Sequence, residues 1–192
     1  MSGSALGAAA LLRAEVERLK RELEDARDRI AELELRADVD PLLDILNRRG
    51  FERELRRSLA YVQRYGTAAA LLYVDLDGYK AINDRHGHAA GDALLRAVAA
   101  ELAAHVRASD VVARLGGDEF GVLMWHASEP QALMRARDLE TRIEAIGLAH
   151  GAAKLGVGAS AGVAILRGDL DAAALIDAAD KAMYARKNER RD

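Results

Sequence analysis

Apolar residues recur along this chain at two different periods. From Leu12 through Val16, Leu19, Leu23, Ala26, Ile30, Leu33 and Ala37 they alternate four and three residues apart. That is a heptad seam, narrower than the apolar face of a globular helix. With Val16, Leu23 and Ile30 at a, and Leu19, Ala26 and Leu33 at d, the choice of side chains favours a parallel two-stranded coil. The flanking charges agree, since a parallel dimer sets Glu15 against Lys20, Glu22 against Arg27 and Arg29 against Glu34. Each such pair contributes about 0.5 kcal/mol or less, but together they select orientation and partner. The other reading is a single helix packed on its own domain. A basic leucine zipper is excluded, because acids alternate with bases throughout and no basic helix precedes the heptads. The helix is expected to end near Asp38-Val39-Asp40-Pro41, as proline disfavours helix at the residue before it.

Beyond the seam the pattern changes. Residues 42–65 read as a helix with Phe51, Leu55, Leu59 and Val62 on one face, stopped by Gly66. Residues 68–74 form an apolar run, read as a buried strand that gives way to a turn at Asp75-Leu76-Asp77-Gly78. Residues 79–84 are a short helix or loop, and 91–106 a helix with Leu94, Leu95, Val98, Leu102 and Val106 inward. Residues 111–125 read as a hairpin, 131–146 as a helix, 159–166 as a strand and 171–187 as a final helix. Strands alternating with helices predict an α+β or α/β sandwich around a central sheet, and the hairpin excludes a purely parallel one. The organisation is then a frayed or disordered segment 1–11, a coiled-coil helix 12–38 and a globular domain 39–192.

Composition narrows the chemistry. Of 192 residues, 51% are hydrophobic but only 4% aromatic, so the core is built from Ala, Leu and Val. A net charge of −3 gives no electrostatic case for bulk nucleic-acid or membrane binding. With no cysteine there is no disulfide, thiolate metal site or cysteine nucleophile. Residues 1–12 are small and apolar without a basic stretch, and charge begins at Arg13. These features lead to the expectation of a cytoplasmic protein without a membrane span.

Candidate chemistry clusters at two places. Gly116-Gly117-Asp118-Glu119-Phe120 lies between two apolar runs, so the glycines read as a tight hairpin turn supplying positive φ angles. Acids are depleted from strands, yet Asp118 and Glu119 run straight into one. Asp75 and Asp77 end the first strand; beside the hairpin, Asp75 and Asp118 can share a hard divalent cation, Mg2+ or Mn2+. Two such ions assist an in-line phosphoryl displacement. Lys80 can neutralise a triphosphate, Gly87 and Gly91 open a helix start that favours phosphate, and Asn83 and Asp92 can read a base edge. Taken singly, each of these is equally an ordinary turn or cap.

Together they carry a resemblance. Asp40-Pro41-Leu42, Asn47-Arg48-Arg49-Gly50-Phe51, Asp75-Leu76-Asp77-Gly78-Tyr79-Lys80, Ile82-Asn83-Asp84, Gly87-His88, Gly91-Asp92 and Arg114-Leu115-Gly116-Gly117-Asp118-Glu119-Phe120 resemble a GGDEF domain of the diguanylate cyclase family. Ser160 to Ala164 and Asp180 to Tyr184 resemble its later strand and last helix. The resemblance covers about residues 38–192. It implies a nucleotidyl-cyclase-like fold, a five-stranded antiparallel or mixed sheet in ferredoxin-like order wrapped by helices. It also implies condensation of two GTP into cyclic di-GMP and two pyrophosphates across a homodimer, with two Mg2+ (or Mn2+) per half-site.

By the same resemblance Asp75, Asp118 and the Leu76 carbonyl are metal ligands, and Asp118, Glu119 and Lys80 are catalytic. Asn83, Asp92, Lys80, His88, Lys187 and Arg191 bind GTP, and Arg107 with Asp110 forms an inhibitory product site of the RxxD type. Gly116 and Gly117 are the signature turn. Three departures stand out: Leu43-Asp44 where the family has Thr-Gly, Gly78-Tyr79 for a polar-aromatic pair, and Arg186 for a small residue before Lys187. The expected partners are GTP, cyclic di-GMP, a second copy of the chain and an upstream signalling partner. The alternative is a catalytically inactive cyclic di-GMP receptor or scaffold.

Overall fold

In the computed structural model, residues 15, 17–27, 29, 37–151 and 153–190 are described. The chain separates into two compact units, Met1–Ala37 and Asp38–Asp192. In the first, the described residues from 15 to 29 are helical, and Leu19 and Leu23 are 50% and 52% exposed. Arg18 bridges Glu15 and Glu22 along the helix, and Lys20 pairs with Glu17 at 2.9 Å. Val16, Ile30, Leu33 and Glu34 of the expected seam and flanks, and the whole segment 1–11, lie outside the described residues.

The second unit contains β1 (Leu46–Asn47), α1 (Arg48–Tyr65), β2 (Ala69–Asp77), α2 (Tyr79–His86), α3 (His88–Ala104), β3 (Val111–Arg114) and β4 (Glu119–Trp125). Then follow α4 (Glu129–Glu144), β5 (Leu148–His150), β6 (Ala153–Leu155), β7 (Gly158–Ile165) and α5 (Ala172–Glu189). Five strands form one sheet in the order β1-β3-β4-β2-β7. Among the described residues only β1 and β3 pair in parallel; β2 is antiparallel to both β4 and β7, and β4 to β3. This is the mixed central sheet that the pattern predicts.

Strand β2 lies at the centre, buried on both faces. Its period of two sends Ala70, Leu72, Val74 and Leu76 into one core with Leu94, Leu95, Val98, Leu139 and Ile143 of α3 and α4. Ala69, Leu71 and Tyr73 enter the other, with Phe51, Leu55, Leu175 and Met183 of α1 and α5. Helices α1 and α5 show local reasons for where they start. The Asn47 side chain accepts from Gly50 N at 3.0 Å to start α1, and left-handed Gly66 closes it. Asp171 caps α5 by accepting from Ala174 N at 2.7 Å.

Three expectations are corrected. Residues 42–45 are not helical: Asp40 Oδ1 accepts from the amides of Leu42 and Leu43 at 2.9 and 3.0 Å, an Asx turn that competes with helix. Asp44, at a position where the resembling family has glycine, takes a φ of 55°, and Leu46–Asn47 then pair with β3. Aspartate is one of the few side chains that tolerates this left-handed region. Secondly, β2 does not end at Val74. Asp75, Leu76 and Asp77 pair with Ser160, Ala159 and Gly158 of β7, so ladder pairing overrides the low strand propensity of aspartate. Thirdly, neither Gly116 nor Gly117 has a positive φ. Four residues, 115–118, separate the two strands, and a loop of that length does not need the primed geometry of a two-residue turn. The ribbon β5–β6 carries too short an apolar pattern to be read from sequence.

Helix α5 crosses β7 at Gly162 with backbone against backbone. A Cβ there would lie 2.1 Å from the Met183 amide nitrogen and 2.2 Å from the Ala179 carbonyl oxygen. Gly162→Ala is therefore expected to destabilise the domain by about 2–3 kcal/mol. Urea denaturation measures this, and an unchanged midpoint would show that α5 is free to shift away.

Candidate active site

The C-terminal end of β2 carries the acids. On one side Asp75 stands opposite Glu119 of β4, and on the other opposite Ser160 of β7. The Leu76 amide donates to the Asp118 carbonyl at 3.2 Å, tying the signature loop to β2. Because Asp75 and Asp77 continue the face of Tyr73, both look towards α5, and there the Lys187 ammonium meets them. It pairs closely with Asp75 and lies 3.3 Å from Asp77 Oδ1. Asp77 also accepts the Ser160 hydroxyl at 2.9 Å. A cleft of about 410 Å3 opens here, lined by Asp77, Gly78, Gly158, Lys187 and Arg190.

The loop 115–118 is held from outside the ladder. Leu115 N donates to Glu119 O at 2.8 Å, and Arg48 Nε to the Leu115 carbonyl at 2.7 Å. Arg114 reaches the carbonyls of Gly116 and Gly117 at 3.1 and 2.8 Å and pairs with Asp40 Oδ2 at 3.1 Å. The absence of a Cβ at Gly116 admits the Glu119 carboxylate, whose Oε2 lies 2.4 Å from where that atom would stand. Behind it, Arg48, Glu52, Tyr73, Glu119, Asp177 and Asp180 line a second cleft of about 410 Å3.

The charges perturb one another. Burial, and then the negative charge of Asp75, raise the Asp118 pKa above its ordinary value. Burial and then Glu119 push the Tyr73 phenol far upward. Burial alone would lower Lys187, but the hydrogen bond and charge of Asp75, then of Asp77, leave it raised. Asp75 and Asp118 are hard donors whose mutual repulsion asks for a cation, and Asp75 already attracts the Lys187 ammonium. The pair therefore fits Mg2+ or Mn2+, and Leu76, next to Asp75 in β2, bonds the Asp118 backbone. Among the described residues no group of three or more His, Asp or Glu side chains is placed to hold a metal ion, so water and phosphate oxygens would complete its coordination.

The remaining candidates fall into three groups. Lys80 is exposed on the first turn of α2, and His88 at the start of α3. Asn83 of α2 is packed on Gly91, one residue before Asp92 on α3. Its Oδ1 is buried without a hydrogen-bond partner, which leaves an acceptor open beside Asp92. Arg107 and Asp110 sit at the other end of β4, about 20 Å away at ~3.3 Å per strand residue. There Asp110 accepts from the amides of Arg107 and Trp125, both at 3.0 Å, and is a turn-former as well as a candidate ligand. Arg191 lies outside the described residues. Sequence reading named Asp77 and Arg114 but gave them no role, and it missed Tyr73; the period of two along β2 is the signal that places Asp77 and Tyr73 on the face of Asp75.

A carboxylate whose folded pKa is raised makes the native state bind its proton first. The contribution of Asp118 to stability is therefore unfavourable at neutral pH, and improves as pH falls through the raised value towards the ordinary 3.8. Asp118→Asn is expected to stabilise the metal-free domain at neutral pH by on the order of 0.5 kcal/mol, given solvent screening. It should also flatten the stability profile between about pH 4 and 7. Denaturation with chelator present measures both, and a less stable Asp118→Asn protein would contradict the assigned repulsion.

A family model described as "Diguanylate cyclase, GGDEF domain" matches residues 37–192. Probable diguanylate cyclase DgcE of Escherichia coli (strain K12) is 39% identical over 165 residues, which are 85% of this chain and 15% of that protein. Diguanylate cyclase DosC of the same strain is 37% identical over 155 residues, 80% of this chain and 34% of that protein. The chain thus spans well under half the length of these curated relatives. Among solved structures, the coiled coil and GGDEF domain of DgcB from Caulobacter crescentus, in complex with c-di-GMP, superposes with a TM-score of 0.79. It shares 25% identity and covers 93% of this chain and 95% of that one. The matched span includes the end of β2 and the loop beside it, and this chain belongs to the GGDEF family.

Proposed function

We propose that the domain is a diguanylate cyclase half-site that condenses two GTP into cyclic di-GMP. The observation that carries this reading is the meeting of Asp75, Asp118 and Lys187 at one strand end beside an open cleft. Two Mg2+ or Mn2+ ions per half-site, when bound, polarise the phosphoryl oxygens and offset charge on the departing pyrophosphate. The chain's own groups do the rest. Lys187 and the exposed Lys80 neutralise phosphate oxygens, with Arg191 and His88 as further contacts. Asn83 and Asp92 read guanine, whose N1 and N2 hydrogens an ionised carboxylate can accept.

Asp118, or Glu119 next to it, takes the proton from a ribose 3′-hydroxyl. The 3′-oxygen bonds to the α-phosphorus of the other GTP while the bond to the bridging oxygen breaks and pyrophosphate leaves. Two such steps close the ring. One domain holds one GTP, so two domains must face each other. The exposed leucines of the N-terminal helix support a parallel coiled coil over residues 12–38 as the device that brings them together, at millimolar effective concentration for a short tether.

The cleft of about 110 Å3 at the far end of β4 is lined by Arg107, Asp110 and Arg135. Two guanidinium groups beside a carboxylate suit a cyclic dinucleotide, in line with product inhibition. An upstream partner acting on the coil would set the resting activity.

Incubating the protein with GTP and Mg2+ is expected to yield cyclic di-GMP by chromatography. Asp75→Asn and Asp118→Asn should each lower kcat by roughly 100-fold or more. Binding of cyclic di-GMP without any turnover would instead establish the receptor reading. Removing residues 1–37 is expected to convert the dimer to monomer by light scattering and to lower turnover at micromolar protein; a truncated domain that dimerises as tightly as the full chain would overturn the role given to the coil.

A further inference from the structure

One of the two most buried acids among the described residues of the domain belongs to neither end of the site. Glu140 on α4 is 4% exposed. Its Oε1 accepts from the Ala161 amide at 2.9 Å and from Arg186 Nε at 3.3 Å. Its Oε2 lies 3.0 Å from Arg186 Nη2 and 3.4 Å from Arg190 Nη1. Arg190 also donates to the Ala159 carbonyl and pairs with Glu144. All the groups that Glu140 gathers are neighbours of the acid–lysine cluster. Ala159 and Ala161 flank Ser160, whose hydroxyl holds Asp77. Arg186 precedes Lys187, which holds Asp75 and Asp77.

Two features make this more than a buried pair. β7 is an edge strand, so the Ala161 amide that turns away from β2 has no strand partner among the described residues, and Glu140 supplies the acceptor. Lys187 stands in the last turn of α5, which ends at Glu189 without a glycine cap. Helix ends lacking such a cap depend on tertiary contacts to stay wound. Arg186 and Arg190, four residues apart, present one face of that turn to Glu140, and Lys187 points from the neighbouring face.

We propose that Glu140 is a positioning residue for the substrate's phosphates: by gripping Arg186 and Arg190 it sets the rotation of the last turn of α5 that aims Lys187 at Asp75 and Asp77. This rests on the reading of Lys187 as a phosphate-binding group. Arg186 is also the residue at which this chain departs from the small residue that the resemblance leads one to expect before Lys187.

The test uses the full chain. Glu140→Gln keeps the volume and the acceptor for Ala161 but loses the charge. Arg186→Ala, which leaves Glu140 its Arg190 and Ala161 partners, serves if Glu140→Gln does not fold. Without nucleotide, acylation of Lys187 read by mass spectrometry is expected to rise roughly fivefold or more in either variant, as supporting contacts of this kind commonly command such factors. Asp177→Asn, which frees Lys181 instead, should leave Lys187 labelling unaltered. With GTP, KM is expected to rise roughly five- to tenfold while kcat stays within about threefold. In a Lys187→Ala background the further change should be under about twofold, since the effect passes through Lys187. Unaltered Lys187 labelling alongside a lowered melting temperature would assign Glu140 a structural role only, and so would a full effect in the Lys187→Ala background. Should the wild-type protein turn over no GTP, the cyclase reading fails on its own, and the labelling result still decides the clamp.

Discussion

The Lys187 ammonium lies against two carboxylates of one strand, and the rest of the site depends on that contact. Asp75 and Asp77 stand two residues apart on the same face, next to Glu119 and close to Asp118. Gathered without a counter-charge, such a group would repel itself apart or take up protons. A cation must come from outside the sheet, on a helix that passes close enough to reach. That approach is possible because Gly162 presents no side chain to α5. Sheet, helix and site are thus consequences of one steric allowance on β7 and one charge on α5.

Local pattern showed much of this in advance. The apolar run of β2 reads as a buried strand because it is one, and the two runs around Gly116-Gly117 announce an antiparallel hairpin. The acids of the site stand out because aspartate is unusual in such places. What sequence could not show has a common cause, the pairing of distant residues. Asp75 to Asp77 stay in the strand because β7 pairs with them, although aspartate by itself favours a turn. Glu140 and Arg186, 46 residues apart, each look like surface charges until α4 and α5 pack on the same strand. The glycines of the signature loop misled in a different way. They suggest a need for unusual backbone angles, whereas Gly116 provides room for the Glu119 carboxylate.

The arrangement sets function against stability. Asp118 is held partly out of water and beside Asp75, which a folded domain tolerates only because its core is large enough to absorb the penalty. Ligands that neutralise these acids return that free energy as binding, so occupancy and fold stability are coupled. The turn around Asp110 differs. Its carboxylate accepts from two backbone amides, one from the turn before β3 and one from the end of β4.

Arg114 joins places that the chain order keeps far apart. Its guanidinium spans from Asp40, where the polypeptide first enters the domain, to the carbonyl of Gly117 at the tip of the signature loop. The domain's doorway and its working tip are thereby one mechanical part, coupled over the length of a single side chain. Losing that one guanidinium would free the entry segment and the loop tip together.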